Sequence, residues 1–375
     1  MMRSCRFFYH EGPKVILKSG AAFFPDWDTE IPKMLRFMLA EGGTRCRYIG
    51  GFSFYLTDPN LSADPDEDPD PSDEVDIDSD VADSSIAFFR GHSFPKAACL
   101  VLDPAEELLF LLPEPLPIFT ALPAVEHLRL HGCGRVACSI PRNMSKLVDV
   151  HLEYNLDQER TRRPLLDIHP LTILTSSRNT LMMVQLSDSE PSLPVAYYPA
   201  PFPKVISLDM NGPHPPDLAP FVYAFPNLEY LFLHDEDVPY GSVMPPGPSI
   251  PVGGRRSVEL IRSWKLRQVM GPLRDLYLAG LACEIEHLQA FMSEESTYEA
   301  LRELVSYARP TNNLIVQTSL PDMLNDEKGL PAMLRSAGGG LEEFETLLLL
   351  HSDENDMDLE AGFVSVFLAV FCTFC

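Results

Sequence analysis

Basic residues are scarce in this chain: 29 Lys and Arg stand against 54 Asp and Glu, a formal net charge of -25 over 375 residues. Nucleic-acid phosphates and anionic membrane surfaces are usually met by clustered Lys and Arg, so neither is expected as a partner. A basic protein partner fits better. Much of the charge is local, because Asp58 to Asp83 holds twelve acidic residues, four prolines and no Lys or Arg; the rest of the chain still carries -13. That run reads as a disordered acidic insertion. Asp64, Asp66 and Asp68 alternate as in a calcium loop, but Pro69 and Val75 occupy the places of its Gly and its closing Glu.

Cysteine is present eight times without paired metal-ligand spacing or a dense disulfide framework, which predicts reduced thiols in cytoplasm or nucleus. Cys372 and Cys375 lack the strand-to-helix context of a redox motif. No charged segment leads into an apolar core and cleavage site at the N-terminus, so secretion is not expected. The longest apolar tail, GFVSVFLAVFCTFC, is fourteen residues, short of the roughly 20 that span a bilayer; it reads as a buried last element. A phosphate loop, a nucleophile elbow and a zinc-protease helix are all missing, and His10-Glu11 is followed by Lys14 where such a helix needs its second histidine. A non-catalytic protein without a cofactor is expected.

What the chain does have is a recurring template, apolar-x-x-apolar-x-apolar. Its cleanest copies are VEHLRLHGC (Val125, Leu128, Leu130, closed by Cys133) and LVDVHLEYN (Leu147, Val150, Leu152, closed by Asn155). It returns in LMMVQLSDS (Leu181, Val184, Leu186), VISLDMNGP (Val205, Leu208, Met210) and LEYLFLHDE (Leu228, Leu231, Leu233). Later copies are LRDLYLAGL (Leu273, Leu276, Leu278) and FETLLLLHS (Phe344, Leu347, Leu349). Weaker ones begin at Ile49, Ala97 and Leu301. The starts at 125, 147, 181, 205 and 228 step by 22, 34, 24 and 23 residues, and three of these steps lie within the leucine-rich-repeat period.

The template has a physical meaning. Residues two apart on a strand share a face, so Leu128 and Leu130 point inward while Arg129 and His131 point out. Burying three apolar side chains yields roughly 1.5–3 kcal/mol each, whereas ordering each backbone position costs about 1–2 kcal/mol. One repeat cannot fold alone, and stacking neighbours supplies the missing burial. The expected fold is α/β: a curved leucine-rich-repeat solenoid with parallel strands on its concave face, and with Pro123, Pro203, Pro226 and Pro272 stopping the segments that precede the strands. At the N-terminus, Ser4 caps a short helix ending at Gly12, Pro13 opens another, and a third runs from about Glu30 to Glu41, its apolar face made by Met34, Leu35, Met38 and Leu39. The first strand candidate is Ile49 to Leu56.

MRSCRFFYHEGPKVIL followed by LRFMLAEGGTRCRYI resembles fungal F-box proteins with degenerate leucine-rich repeats, in which a Cys-Arg-x-x-Tyr-His-Glu-Gly-x-Lys segment closes the F-box. The resemblance divides the chain into a remnant F-box end and helical junction at 1–45 and a solenoid at 46–375, interrupted by the acidic insertion at 58–83. It implies a substrate adaptor that docks on a Skp-type linker protein and a cullin-RING ubiquitin ligase while the repeats hold a protein substrate. The Leu-Pro-x-Glu stretch and first helices of an F-box have no counterpart before Met1, so the linker-binding part is expected to be largely missing. A stand-alone repeat scaffold without a ligase is the alternative.

The outward strand positions are the expected protein-binding face: Arg129, His131, His151, Glu153, Gln185, Ser187, Asp209, Asn211, Phe232, His234, Tyr277 and Ala279. Phe232 and Tyr277 stand out, because aromatic residues are enriched at binding hot spots. His131, His151 and His234 lack close ligand spacing along the chain and an evident carboxylate partner, so they read as surface histidines rather than metal ligands or bases.

Overall fold

The computed structural model describes residues 14, 17–18, 21–23, 36–38, 43–55, 91, 94–111, 116–154, 168–188, 199–212, 218–234, 264–292, 298–308, 310–319 and 343–349. Most of the F-box-like segment, the acidic insertion, Asn155, Cys372, Cys375 and the apolar tail lie outside the described residues. Residues 36–38 are helical, within the helix expected at 30–41. The chain divides into two compact units, Met1–Leu181 and Met182–Cys375.

The first unit contains β1 (Ala21–Phe23), β2 (Gly51–Tyr55), β3 (Cys99–Asp103), β4 (His127–Cys133) and β5 (Asp149–Tyr154). Each strand pairs in parallel with the next, with Phe52 opposite Leu100, Leu100 opposite Leu128, and Leu128 opposite Val150. Strand β1 precedes the first one expected from the sequence. Helices α1 (Ala105–Leu111) and α2 (Leu116–Thr120) join β3 to β4; α3 (Ser139–Asn143) joins β4 to β5, and α4 (Pro170–Ile173) follows β5.

The second unit contains β6 (Met183–Ser187), β7 (Ser207–Asn211), β8 (Tyr230–His234), β9 (Lys265–Pro272), β10 (Glu284–Phe291), β11 (Pro310–Ser319) and β12 (Glu343–Leu349), again parallel in chain order. Helices α5 (Ala219–Ala224), α6 (Leu273–Leu278) and α7 (Tyr298–Ala308) lie between strands β7 and β8, β9 and β10, and β10 and β11. Among the described residues no helix is long and apolar enough to cross a membrane.

Alternation produces these strands, as the buried residues show. The three template positions are fully buried in copy after copy: Val125, Leu128 and Leu130; Leu147, Val150 and Leu152; Leu228, Leu231 and Leu233. The weak copies at Ile49 and Ala97 obey the same rule through Phe52 and Phe54, and through Leu100 and Leu102. The backbone repeats too. The carbonyl just after the first apolar position accepts two N–H groups from the next repeat: Ala98 O from Glu126 and His127 (2.8 and 2.9 Å), Glu126 O from Val148 and Asp149 (2.7 and 3.0 Å), and Ile206 O from Glu229 and Tyr230 (both 2.9 Å). The closing Cys133 donates its Sγ–H to Leu130 O at 3.2 Å.

Three template copies are corrected. Leu273–Leu278 is helix α6 rather than a strand: Leu273 and Leu276, three apart, share a helical face just as they fit the template, and both are fully buried. Pro272 therefore does not stop a segment before a strand; it ends β9 and precedes the first residue of α6. The copy at Leu301 lies in α7. The copy at Phe344 does fall in a strand, β12, but Phe344 pairs with Leu314, itself opposite Leu288, so in register it takes the second apolar position instead of the first.

The strands actually occupying the gap after 233 were hidden by small residues. Leu266, Val269 and Gly271 align with Ile285, Leu288 and Ala290. A Cβ at Gly271 would lie 2.8 Å from Leu233 O and 2.9 Å from Leu233 Cβ, so the third position must be empty there. Gly271→Val should lower the unfolding free energy by about 1–3 kcal/mol through overpacking, read as a shift in the urea midpoint.

Candidate strand-face site

In the first unit the outward side chains of β4 and β5 are drawn into register. Arg129 faces His151 across the pair and His127 faces Asp149. His127 Nδ1 lies 3.5 Å from an Asp149 carboxylate oxygen, and His131 Nδ1 lies 2.8 Å from Glu153 Oε2. The His131 and His151 rings meet edge-on at a centroid distance of 4.9 Å. Parallel pairing brings together residues about one repeat apart in sequence. The expected lack of a carboxylate partner is thus corrected for two of the three histidines, since the adjacent strand supplies Glu153 to His131 and Asp209 to His234, while His151 joins the group through its ring contact with His131.

The local backbone aims this group. Leu130 pairs with Leu152 and Cys133 with Tyr154, so His131 and Gly132 together oppose only Glu153, which is a β-bulge. Gly132 adopts φ 63, and a Cβ on it would meet Pro104 Cβ at 3.3 Å; glycine suits both constraints. His131, His151 and Glu153 are half-buried, and one potential ligand atom from each lies within 4.8 Å of the others. Among the described residues they form a group able to hold a metal ion.

The opposite side of the same strands is apolar and thiol-bearing. Burial pushes the Cys133 thiol well up, reinforced by the adjacent Cys138, and burial likewise raises Tyr154, whose hydroxyl donates to Ile168 O at 3.1 Å. Cys99 is also raised by burial, against a smaller downward pull from the Arg129 guanidinium. Arg129 itself is exposed.

In the second unit Gln185, Asp209, Phe232 and Met270 form one cross-strand row. Asp209 accepts from Gln185 Nε2 at 3.0 Å and pairs with His234 Nε2 at 3.3 Å. Ser187, Asn211 and His234 form the next row. Phe232 is half-buried on the outward side, between Asp209 and Met270. Tyr277 does not join it: the residue sits on α6, and its hydroxyl donates to Glu303 Oε2 on α7 at 2.7 Å. Ala279, placed outward by the sequence reading, is buried at the end of α6. Both displacements follow from the helical, rather than extended, conformation of 273–278.

A second repeated signal went unread in the sequence. Phe94-Pro95, Phe202-Pro203 and Phe225-Pro226 each stand just before a first template position, and each phenylalanine is buried. Their carbonyls accept the N–H of Ala97, Val205 and Leu228, all at 3.3 Å. The rings pack edge-on, Phe52 against Phe94 at 5.0 Å and Phe202 against Phe225 at 5.6 Å.

No family model matches the sequence, and no curated protein matches it. Among solved structures the chain is similar to the leucine-rich repeat-containing protein LegL7 from Legionella pneumophila, with 11% identity, a TM-score of 0.35, and coverage of 68% of this chain and 85% of that one.

Proposed function

We propose that this is a non-catalytic, protein-binding repeat protein whose parallel strands belong to a leucine-rich-repeat solenoid, and whose outward strand face receives a protein substrate. The observation that carries the reading is the in-register row Gln185, Asp209, Phe232 and Met270: a half-buried aromatic ring flanked by a hydrogen-bonded carboxylate and a methionine, on neighbouring rigid strands. Aromatic and methionine side chains at the centre and polar groups around them are the composition of binding patches. The net charge of -25 favours a basic partner over nucleic acid or an anionic membrane.

The F-box-like resemblance of the N-terminal segment extends the proposal: bound protein would be positioned for ubiquitin transfer through a Skp-type linker and a cullin-RING ligase, in cytoplasm or nucleus. Co-expression with a Skp-type linker followed by affinity purification tests that role. Recovery of a stoichiometric complex supports the adaptor; no complex, under conditions where an intact F-box protein gives one, leaves a stand-alone scaffold. Capture of the substrate itself is tested with Phe232→Ala, which should weaken binding at least about tenfold, as loss of a hot-spot residue does, with an unchanged melting temperature. Undiminished capture would rule out this face.

A further inference from the structure

We propose that His131, His151 and Glu153 form a three-ligand site for a divalent transition-metal ion of the zinc class, with a fourth position open to water or to a donor from a bound molecule. The site does not depend on the protein-binding or ligase reading.

The donor set is the first argument. Two imidazoles and one carboxylate are a recurrent set for zinc in open sites, where three protein ligands leave one coordination position free, and imidazole favours zinc, copper and nickel over magnesium or calcium. Two neutral imidazoles and one carboxylate supply a single negative charge, which a divalent cation overcompensates in a chain that is otherwise strongly acidic. Arg129 faces His151 across the strand pair but is exposed, so solvent and salt screen its charge.

Geometry is the second. Tetrahedral bonds of about 2.0–2.1 Å require donor atoms about 3.3 Å apart. Here the three donors already lie within 4.8 Å of one another, and the His131 to Glu153 distance of 2.8 Å is on the short side of that requirement. Opening one contact slightly and closing the others is within reach of imidazole and carboxylate side-chain rotations, with no movement of the strands. Those strands are firmly held, since Leu130 and Leu152 beneath the site are fully buried.

The third argument is the bulge. A regular β4 would continue in one-to-one register past His131; inserting Gly132 turns the chain at the residue facing Glu153. Bulges re-aim side chains next to functional sites, and this one lies at the carboxylate-bearing end of the proposed site.

The test uses the full chain stripped of metal and titrated with Co2+, then competed with Zn2+. Expected are visible d–d bands of a low-symmetry cobalt site, without the near-ultraviolet thiolate band that cysteine ligation would produce, bleached by one equivalent of Zn2+. His151→Asn keeps the His131 to Glu153 hydrogen bond, so its fold should be intact by circular dichroism, yet metal affinity should fall by at least about tenfold, since even removal of an outer-shell partner costs that much. Glu153→Gln should behave likewise, whereas His127→Asn should bind as the parent does. Zn2+ should raise the melting temperature of the parent but not of His151→Asn. The proposal is overturned by absence of a spectral change at millimolar cobalt, by a thiolate band alone, or by a His151→Asn protein that binds as tightly as the parent.

Discussion

Trp264→Ala is expected to lower the unfolding free energy by about 3–5 kcal/mol, the range for truncating a buried aromatic side chain. Trp264 stands immediately before β9 and is 1% exposed, the largest of the fully buried side chains among the described residues. Its Nε1 donates to Phe225 O at 3.0 Å. Phe225 is itself fully buried and packs against Phe202 and Phe221 at centroid distances of 5.6 and 5.8 Å. The indole therefore does two things at once: it fills volume beside the aromatic cluster, and it gives the Phe225 carbonyl a second donor beside the Leu228 N–H. Trp264→Phe separates the two. It keeps much of the volume and leaves the Phe225 carbonyl with the Leu228 N–H alone, at a cost of about 0.5–1.5 kcal/mol, the net worth of one hydrogen bond. Urea unfolding followed by circular dichroism measures both; equal midpoints for Trp264→Phe and the parent would show that the hydrogen bond contributes nothing. Hydrogen exchange should place the loss of Trp264→Ala in β8 and β9, the strands that follow Phe225 and Trp264 in the chain.

The strand positions were legible wherever three bulky apolar residues marked one face. From Ile49 to Leu233, six of the expected strands form where the template places them, and a seventh, β5, does so through Leu147, Val150 and Leu152. Legibility fails after Leu233 for two physical reasons. Gly271 fills the third position of β9 because Leu233 comes too close for a larger residue, and Ala290 holds the same position in β10, so the buried face of each strand carries only two large template residues. Leucines three apart are equally compatible with a helix, and the sequence alone does not say that Pro272 closes a strand before α6 begins. Tyr277 was misplaced for that reason. The strand-face site was half legible: alternation placed Arg129, His131, His151 and Glu153 outward, but only the register of β4 on β5 reveals that His131 meets Glu153 and His151. Ligands separated by a whole repeat leave no local spacing to read. The Phe-Pro anchors, by contrast, were available in the sequence. Proline's role as a segment breaker accounts for the Pro alone, and the burial of the ring before it shows only in the packing of Phe52 on Phe94 and of Phe202 on Phe225.

Glu106→Ala should also be strongly destabilising, by about 3 kcal/mol, the upper range for hydrogen bonds to a charged group. Glu106 lies in the first turn of α1, and its carboxylate accepts three backbone N–H groups from the segment after β4: Gly134 at 3.1 Å, Val136 at 3.0 Å and Ala137 at 2.8 Å. Such a segment has no strand partner for these donors, and α3 begins only at Ser139, so one side chain from the preceding connection closes the turn. Gly134 explains how the carboxylate gets so near, because a Cβ there would fall 2.5 Å from the Glu106 Cδ. Gly134→Ala should thus displace the carboxylate and destabilise the parent, but cost distinctly less in the Glu106→Ala background; additive costs would refute the coupling. Thiol chemistry supplies an independent readout. Cys133 and Cys138 flank the turn and are fully buried, and burial holds the Cys133 thiol in its unreactive protonated form. Opening the turn exposes both, so Glu106→Ala should accelerate their alkylation by iodoacetamide while leaving Cys283, in the other unit and pushed up to about 12 by burial, as slow as before. Equal acceleration at Cys283 would mean that the substitution loosens the whole chain, and no acceleration at Cys133 would mean that Glu106 does not hold the turn closed.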